Sequence, residues 1–142
     1  MPDYRFSISL RVKHPEIDPG EISRRLNIEP FRKWKHGDQG VTPKGTLLEG
    51  KYKETYWAAN MHSEKRISSE VMTIEECIKN LNTRLEQFSM YFSDIVSSGG
   101  SVEYFVGWFS ADNVGIYLSP GLMKQTSDLC ISIGIAAYVG EE

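Results

Sequence analysis

The feature that most constrains this chain is an apolar repeat that runs from residue 74 to residue 95. Its members recur at alternating steps of four and three, which places them on one face of an α-helix: Ile74, Ile78, Leu81, Leu85, Phe88, Phe92 and Ile95. Thr73 and Glu76 form the capping pattern of a helix start, and Gly99-Gly100 marks its end. The repeat covers only about three heptads, so we predict one long helix that packs on a core rather than a coiled coil.

Alternation with a period of two predicts strands on both sides of this helix. Residues 4–12 alternate apolar and polar side chains, as expected for a strand with one buried and one exposed face. Residues 55–59 have aromatic and β-branched character and predict a second strand. The last third of the chain predicts three more strands, at residues 101–109, 114–118 and 129–136.

Two short helices are predicted from their start signals. Asp18 followed by Pro19 is typical of an N-cap and first helical position, and this helix is expected to end near Asn27. Ser119-Pro120 predicts a second short helix, which runs through about Thr126.

The resulting order of elements is β-α-loop-β-α-β-β-α-β. It predicts an α+β fold, in which a mainly antiparallel sheet carries one long helix and one or two short helices. A ferredoxin-like or split βαβ arrangement is the first topology to expect. A length of 142 residues predicts a single domain over residues 1–142 that buries its own core.

Several classes of protein do not fit the composition. No stretch approaches the roughly 18 apolar residues of a membrane span, and the polar start of the chain does not resemble a signal peptide. We therefore expect no membrane association and a cytoplasmic location. Cys77 and Cys130 form no CxxC motif, and we interpret both as reduced structural thiols.

The sequence carries no motif of a known catalytic or metal site. His14, His36 and His62 lie far apart, and neither cysteine has a second one at ligand spacing, so we expect neither metal nor cofactor. Nucleophile-elbow, zinc-protease, Walker and dinucleotide-binding signatures are absent. These observations favour a protein that acts by binding rather than by catalysis.

The candidate binding residues lie in a region that we predict to be a long loop, residues 29–54. It is rich in Gly, Lys and Pro, and loops of this length inside a compact domain are often functional. Within it, aromatic and charged side chains stand close together: Phe31, Arg32, Lys33, Trp34, Lys35 and Asp38.

Three interpretations of this segment remain open from sequence. Trp34 and the cations can form a protein-contact hot spot, a role in which Trp and Arg are enriched. Alternatively, Trp34 and Phe31 can stack a base or flat ligand while the cations hold phosphates. In the third interpretation, Trp34 folds onto the core and the cations are solvated.

Charge is distributed unevenly along the chain. The net charge is −3, but residues 1–70 carry 13 basic and 10 acidic residues, whereas residues 71–142 carry 3 and 9. A general nucleic-acid-binding domain is usually strongly basic, so we do not expect nucleic acid as a partner. Halves of opposite sign also allow self-association into a homo-oligomer.

The chain as a whole resembles an uncharacterised bacterial family, domain of unknown function 4279. The resemblance rests on the order of several weak motifs: residues 26–30 followed by Trp34, Gly37 and Asp38, then Trp57, Gly99-Gly100, residues 115–122 and Tyr138. Members often carry an Asp two positions before the last of these, where this chain has Ala136. The family brings no assigned reaction.

Small acidic bacterial proteins of this kind are sometimes encoded beside secreted toxins. The resemblance therefore implies, by association, that a toxin-neutralising immunity role is one form of the protein-binding hypothesis. The alternative is a small-ligand or nucleotide-binding sensor that uses residues 31–38.

Overall fold

The computed structural model describes residues 3–140 of the chain. The strands are β1 (Arg5–His14), β2 (Arg32–Trp34), β3 (Gln39–Val41), β4 (Leu47–Lys51), β5 (Thr55–Asn60), β6 (Ile67–Ser68), β7 (Ser101–Ser110) and β8 (Ile131–Val139). The helices are α1 (Pro19–Leu26), α2 (Ile74–Leu85), α3 (Ser89–Ser97) and α4 (Pro120–Asp128), with one 3-10 turn (Glu86–Phe88) between α2 and α3.

The main sheet has the strand order β2-β5-β1-β7-β8, and β6 also pairs with β1. All pairs are antiparallel except β7 with β8, which are joined through α4 as a parallel crossover requires. Strands β3 and β4 form a separate hairpin. The α+β class and the mainly antiparallel sheet are thus confirmed. Strands β5 and β7 both pair antiparallel with β1, which lies between them, and the chain connects them through α2 and α3, so the sheet contains a split βαβ unit.

The core lies between one face of this sheet and the helices. The alternate residues Phe6, Ile8, Leu10 and Val12 of β1 are each at most 1% exposed, as the period of two predicts. The predicted long helix is confirmed as a continuous helical segment from Ile74 to Ser97, which turns through 3-10 geometry at residues 86–88. Its apolar repeat supplies much of the core.

A buried polar network ties α2, β7 and α4 together. Tyr104 donates its hydroxyl to Asn82 Oδ1 at 2.9 Å, and Asn82 Nδ2 donates to Thr126 Oγ1 at 2.8 Å. Thr126 in turn donates to the carbonyl of Leu122 at 2.8 Å. Because each of these buried groups has a partner, the network fixes the packing of the two helices on the sheet.

The loop prediction for residues 29–54 was wrong, since β2, β3 and β4 all lie within it. These strands are only three to five residues long, and every residue of β4 is exposed. Strands β2 and β3 are too short to show an alternation, and β4 has two exposed faces, so none of the three leaves a hydrophobic period in the sequence.

The strand predicted at residues 114–118 was also wrong. This segment belongs to no ladder of the described sheets, although its backbone is joined to α2 by a bond from Tyr117 N to Glu75 Oε2 at 3.3 Å. Val114, Ile116 and Leu118 pack against the core while the residues between them are exposed. The alternation in residues 114–118 reflects burial of every second side chain, and a segment can be buried in this way without pairing with another strand.

Candidate binding cleft

The predicted site begins at one edge of the main sheet. After α1, Phe31 N donates to the carbonyl of Ala58 at 2.8 Å, which brings the chain alongside β5. Strand β2 then pairs antiparallel with β5, with Trp34 opposite Tyr56. Trp57 points into the core, so its neighbour Tyr56, and Trp34 beside it, lie on the face of the sheet away from the helices.

Trp34 is the centre of a stack of three aromatic rings. Its indole lies 4.1 Å from the ring of Tyr52 at an angle of 9°, and 4.6 Å from that of Tyr56 at 25°. Both tyrosine rings are nearly parallel to the indole and lie at stacking distance from it. Trp34 Nε1 also donates to the carbonyl of Glu54 at 3.1 Å. Trp34 is therefore half-buried and held in one position.

A tight turn connects β2 with the β3–β4 hairpin. Asp38 N donates to the carbonyl of Lys35 at 3.0 Å, while Lys35 N donates to Asp38 Oδ2 at 3.0 Å. Gly37 adopts φ +89°, a conformation that favours glycine, and its N–H donates to the carbonyl of Tyr52. Asp38 thus has a structural role in the turn as well as a place in the site.

Tyr52 joins the hairpin to the aromatic stack. Its hydroxyl accepts from Val41 N at 3.1 Å and donates to the carbonyl of Val41 at 2.9 Å, so it holds β3 by both backbone groups of one residue. Its backbone N–H donates to the carbonyl of Asp38 at 2.9 Å. The ring of the same residue contacts Trp34, so the hairpin is held against β2.

These contacts enclose a cleft of about 580 Å³ between β2 and the hairpin. Its lining residues are Phe31, Arg32, Lys33, Trp34, Asp38, Gln39, Val41, Thr42, Pro43 and Tyr52. Four of them, residues 31–34, are consecutive. Since the side chains of a strand alternate between its two faces, a cleft that touches four consecutive residues must run along the edge of the strand.

The cleft combines positive charge with exposed apolar surface. Arg32 and Lys33 bring two cations, and the guanidinium of Arg32 lies 5.0 Å from the Trp34 ring in a cation–π contact. Phe31 is 54% exposed at one wall, and Val41 of the hairpin, which also lines the cleft, is 36% exposed. A hydrophobic centre with charged residues around it is the composition of a protein-contact surface.

The structure brings five of the six predicted site residues to this cleft. Lys35 is the exception, because it lies in the turn and does not line the cleft. Trp34 lies outside the hydrophobic core, so it does not act as a core lid. Sequence reasoning missed Tyr52 and Tyr56, whose only signal was the placement of two tyrosines among the charged residues before Trp57.

His14 and Cys77 both have structural explanations. His14 Nδ1 accepts from the N–H groups of Glu16 and Ile17, and its Nε2 lies 2.8 Å from Ser98 Oγ. Burial raises the pKa of the Cys77 thiol to about 11, which keeps it protonated and unreactive. Within residues 3–140, no three His, Cys, Asp or Glu side chains are close enough together to hold a metal ion.

The fold and site together define a small α+β domain with an aromatic and basic cleft at one edge of its sheet. The family model for a domain of unknown function (DUF4279) matches residues 4–140, so the chain belongs to this family. Searches of curated proteins and of solved structures give no match. Ala136, where the resemblance leads us to expect Asp, lies half-buried on β8 opposite Gly107. No helix among the described residues is long and apolar enough to cross a membrane.

Proposed function

We propose that this protein is a non-enzymatic binding domain, and that its cleft takes an extended, acidic segment of a partner protein. The observation that carries the proposal is the course of the cleft along the edge of β2, past residues 31–34. An extended peptide laid along a strand edge gains backbone hydrogen bonds, and its alternate side chains reach the walls of the groove.

The chemistry of the walls indicates the composition of that segment. Arg32 and Lys33 favour carboxylates, and Arg32 is oriented by its contact with Trp34. Phe31 and Val41 offer exposed apolar surface for a side chain between the acids. An acidic peptide with one apolar residue among its acids fits both features.

The alternative, a nucleotide or flat-ligand sensor, receives less support. Tyr52 and Tyr56 already stack on the Trp34 indole, so a base would compete with these tyrosines for the surface of the indole. A displaced Tyr52 would also lose its two hydrogen bonds to Val41. The basic cleft therefore favours a polypeptide over a stacked base.

A narrower form of the proposal is a bacterial, cytoplasmic immunity protein that neutralises a toxin. A binding role of this kind needs an exposed contact surface and no catalytic groups, which agrees with the character of the cleft. In this form, the acidic segment that enters the cleft belongs to the toxin.

The test is selection of random linear peptides displayed on phage, followed by NMR titration of the selected peptides into the labelled protein. We expect acidic peptides to be enriched, and amide shifts to be concentrated in residues 31–43 and 52. Lys33→Glu should weaken binding about tenfold or more, the effect of placing one like charge beside a bound carboxylate. Lys79→Glu is the matched control, because Lys79 is an exposed lysine on α2 and not in the cleft.

Other outcomes would contradict the proposal. Peptides that shift residues elsewhere on the protein, or that bind Lys33→Glu as well as wild type, would show that the cleft is not the site. Saturable binding of mononucleotides at residues 31–34, without any selected peptide, would favour the sensor alternative.

A further inference from the structure

The opposite edge of the main sheet is formed by β8, which is the last strand in the order of the described residues. β8 pairs with β7 over nine positions in unbroken register, from Val102 with Ile131 to Ser110 with Val139. In a parallel pair, alternate residues direct their N–H and C=O groups away from the neighbouring strand. One side of β8 therefore presents a row of backbone donors and acceptors.

This edge lacks the features by which proteins usually block strand pairing. Residues 131–139 contain no charged residue and no proline, and the register shows no bulge. The other edge strand, β2, has two cations in three residues, which suit the acidic segment proposed above and oppose pairing with an identical strand. The uncharged edge of β8 can receive an uncharged strand.

Apolar side chains flank the same edge on its helix side. Ile135 is 41% exposed and Val139 is 87% exposed, and Met123 on α4, which lies near Ile133, is 49% exposed. An open groove of about 530 Å³ runs between the helices and β8, lined in part by Val96 and Ile133. A strand added to this edge brings its own apolar residues to this surface.

We propose that the added strand is β8 of a second copy of this chain, and that the two form an antiparallel pair about a twofold axis at Ile135. In this register Ile135 meets its own counterpart, Gly134 meets Ala136, and Ile133 meets Ala137. Residues on the helix side of one copy then face residues on the helix side of the other, as a shared pleat requires. The two sheets become one continuous sheet.

The lack of charge on β8 favours pairing with a second copy over pairing with a charged partner strand. A twofold axis repeats every charge of the strand on its copy, so a strand with a net charge would be repelled. Residues 131–139 have none. Glu103 packs over Gly134 on the other face of the sheet and has Arg11 opposite it on β1. On α4, Lys124 and Asp128 form an ion pair at 2.8 Å.

The first test measures molar mass by sedimentation equilibrium. We expect wild type to shift from the 16.2 kDa chain towards twice that mass as its concentration rises through about 10–100 μM, because a strand pair with modest flanking area is a small interface. Ile135→Lys should remain monomeric at all of these concentrations. Leu47→Lys, an equally drastic change at an exposed apolar residue of the hairpin, should behave as wild type. Circular dichroism checks that both variants fold.

The second test reads the register by oxidation in a Cys130→Ser background. Residues directly opposite in an antiparallel pair have Cα atoms about 4.5–5.5 Å apart, which is within disulfide range. Ile135→Cys should therefore form a cross-linked dimer, and Ile133→Cys, which faces Ala137, should not. A monomeric wild type throughout the concentration series, or an Ile135→Lys variant that still dimerises, would overturn the proposal. A cross-link from Ile133→Cys alone would overturn the register.

Discussion

Replacing Trp34 with alanine tests whether the aromatic stack holds the β3–β4 hairpin and thereby forms the cleft. The substitution removes the ring contacts with Tyr52 and Tyr56 and the bond from Nε1 to Glu54. The remaining links between hairpin and sheet include the turn at Lys35–Asp38 and the bond from His36 N to Thr55 Oγ1 at 3.1 Å. The variant should therefore loosen the hairpin more than the sheet.

The size of the effect follows from the contacts that are lost. Each aromatic contact contributes about 0.5–1.5 kcal/mol, and one hydrogen bond contributes about 1 kcal/mol. The contact with Tyr56 lies within the main sheet and does not hold the hairpin, so the loss that counts is the Tyr52 contact and the bond to Glu54. Because Trp34 is only half-buried, values at the lower end apply, and their total is about 1.5 kcal/mol. This corresponds to a roughly tenfold increase in the population of the opened hairpin.

Amide hydrogen exchange measures this population at individual residues. The N–H groups of Gly37 and Tyr52 are bonded across the base of the hairpin, so their exchange should accelerate by about tenfold in Trp34→Ala. Amides in the centre of β1, which lies between β5 and β7, exchange only on larger openings and should change much less. Phe31→Ala is the control, because Phe31 lines the cleft and takes no part in the stack.

Two results would refute this reasoning. Unchanged exchange at Gly37 and Tyr52 would show that the stack does not hold the hairpin. An equal acceleration at Gly37 and in the centre of β1 would show that Trp34 supports the whole sheet, as a core residue does.

Three further predictions concern the core. Tyr104→Phe leaves the buried Oδ1 of Asn82 without its donor, so denaturant unfolding should show a loss of about 1–3 kcal/mol, and Asn82→Leu should cost less in that background than in wild type. Since burial raises the pKa of Cys77 to about 11 and that of Tyr91 to about 12, the folded state holds protons that the unfolded state releases from about pH 9 upwards. Stability should thus fall as the pH rises from 9 to 11, and less steeply in Cys77→Ala. Cys130 has φ +59°, so Cys130→Gly should raise the free energy of unfolding by about 1 kcal/mol.

The elements that could be predicted from the sequence are those whose hydrophobic pattern reflects burial on one side. The repeat from Ile74 to Ile95 and the alternation in β1 both report contact with the core, and both elements form where predicted. Asp18 and Ser119 also act as the predicted caps, accepting from Gly20 N and Leu122 N. These hydrophobic periods and helix caps depend on neighbouring residues in the sequence, so they predict the elements correctly for any strand order.

The errors arose where burial and pairing are independent. β4 is paired but exposed at every residue, so its strand character left no pattern. Residues 114–118 are buried on one side but join no ladder, so they gave a strand pattern without a strand. A hydrophobic period reports which side chains leave water, and it does not report where backbone hydrogen bonds are made.

The candidate site was only partly predictable for the same reason. Residues 31–34 stood out because aromatic and basic side chains are adjacent in sequence. Their partner Tyr52 lies beyond a hairpin whose strands were not predicted, so nothing placed its ring on Trp34 or its hydroxyl on Val41. The hairpin forms one wall of the cleft, and the contacts of Tyr52 with Trp34 and Val41 hold the hairpin in place.

The two proposed interfaces lie at opposite ends of the strand order, with the cleft beside β2 and the self-pairing edge at β8. A dimer formed through β8 therefore leaves both clefts open, at the two far ends of one continuous sheet. Such a dimer binds a partner that carries two acidic segments more tightly than a monomer does, because the second contact becomes intramolecular. Ile135→Lys should weaken binding to immobilised, densely spaced peptide and leave the affinity for the same peptide free in solution unchanged. A parallel loss in both formats would show that Ile135 acts on the cleft itself, and that the two interfaces are not independent.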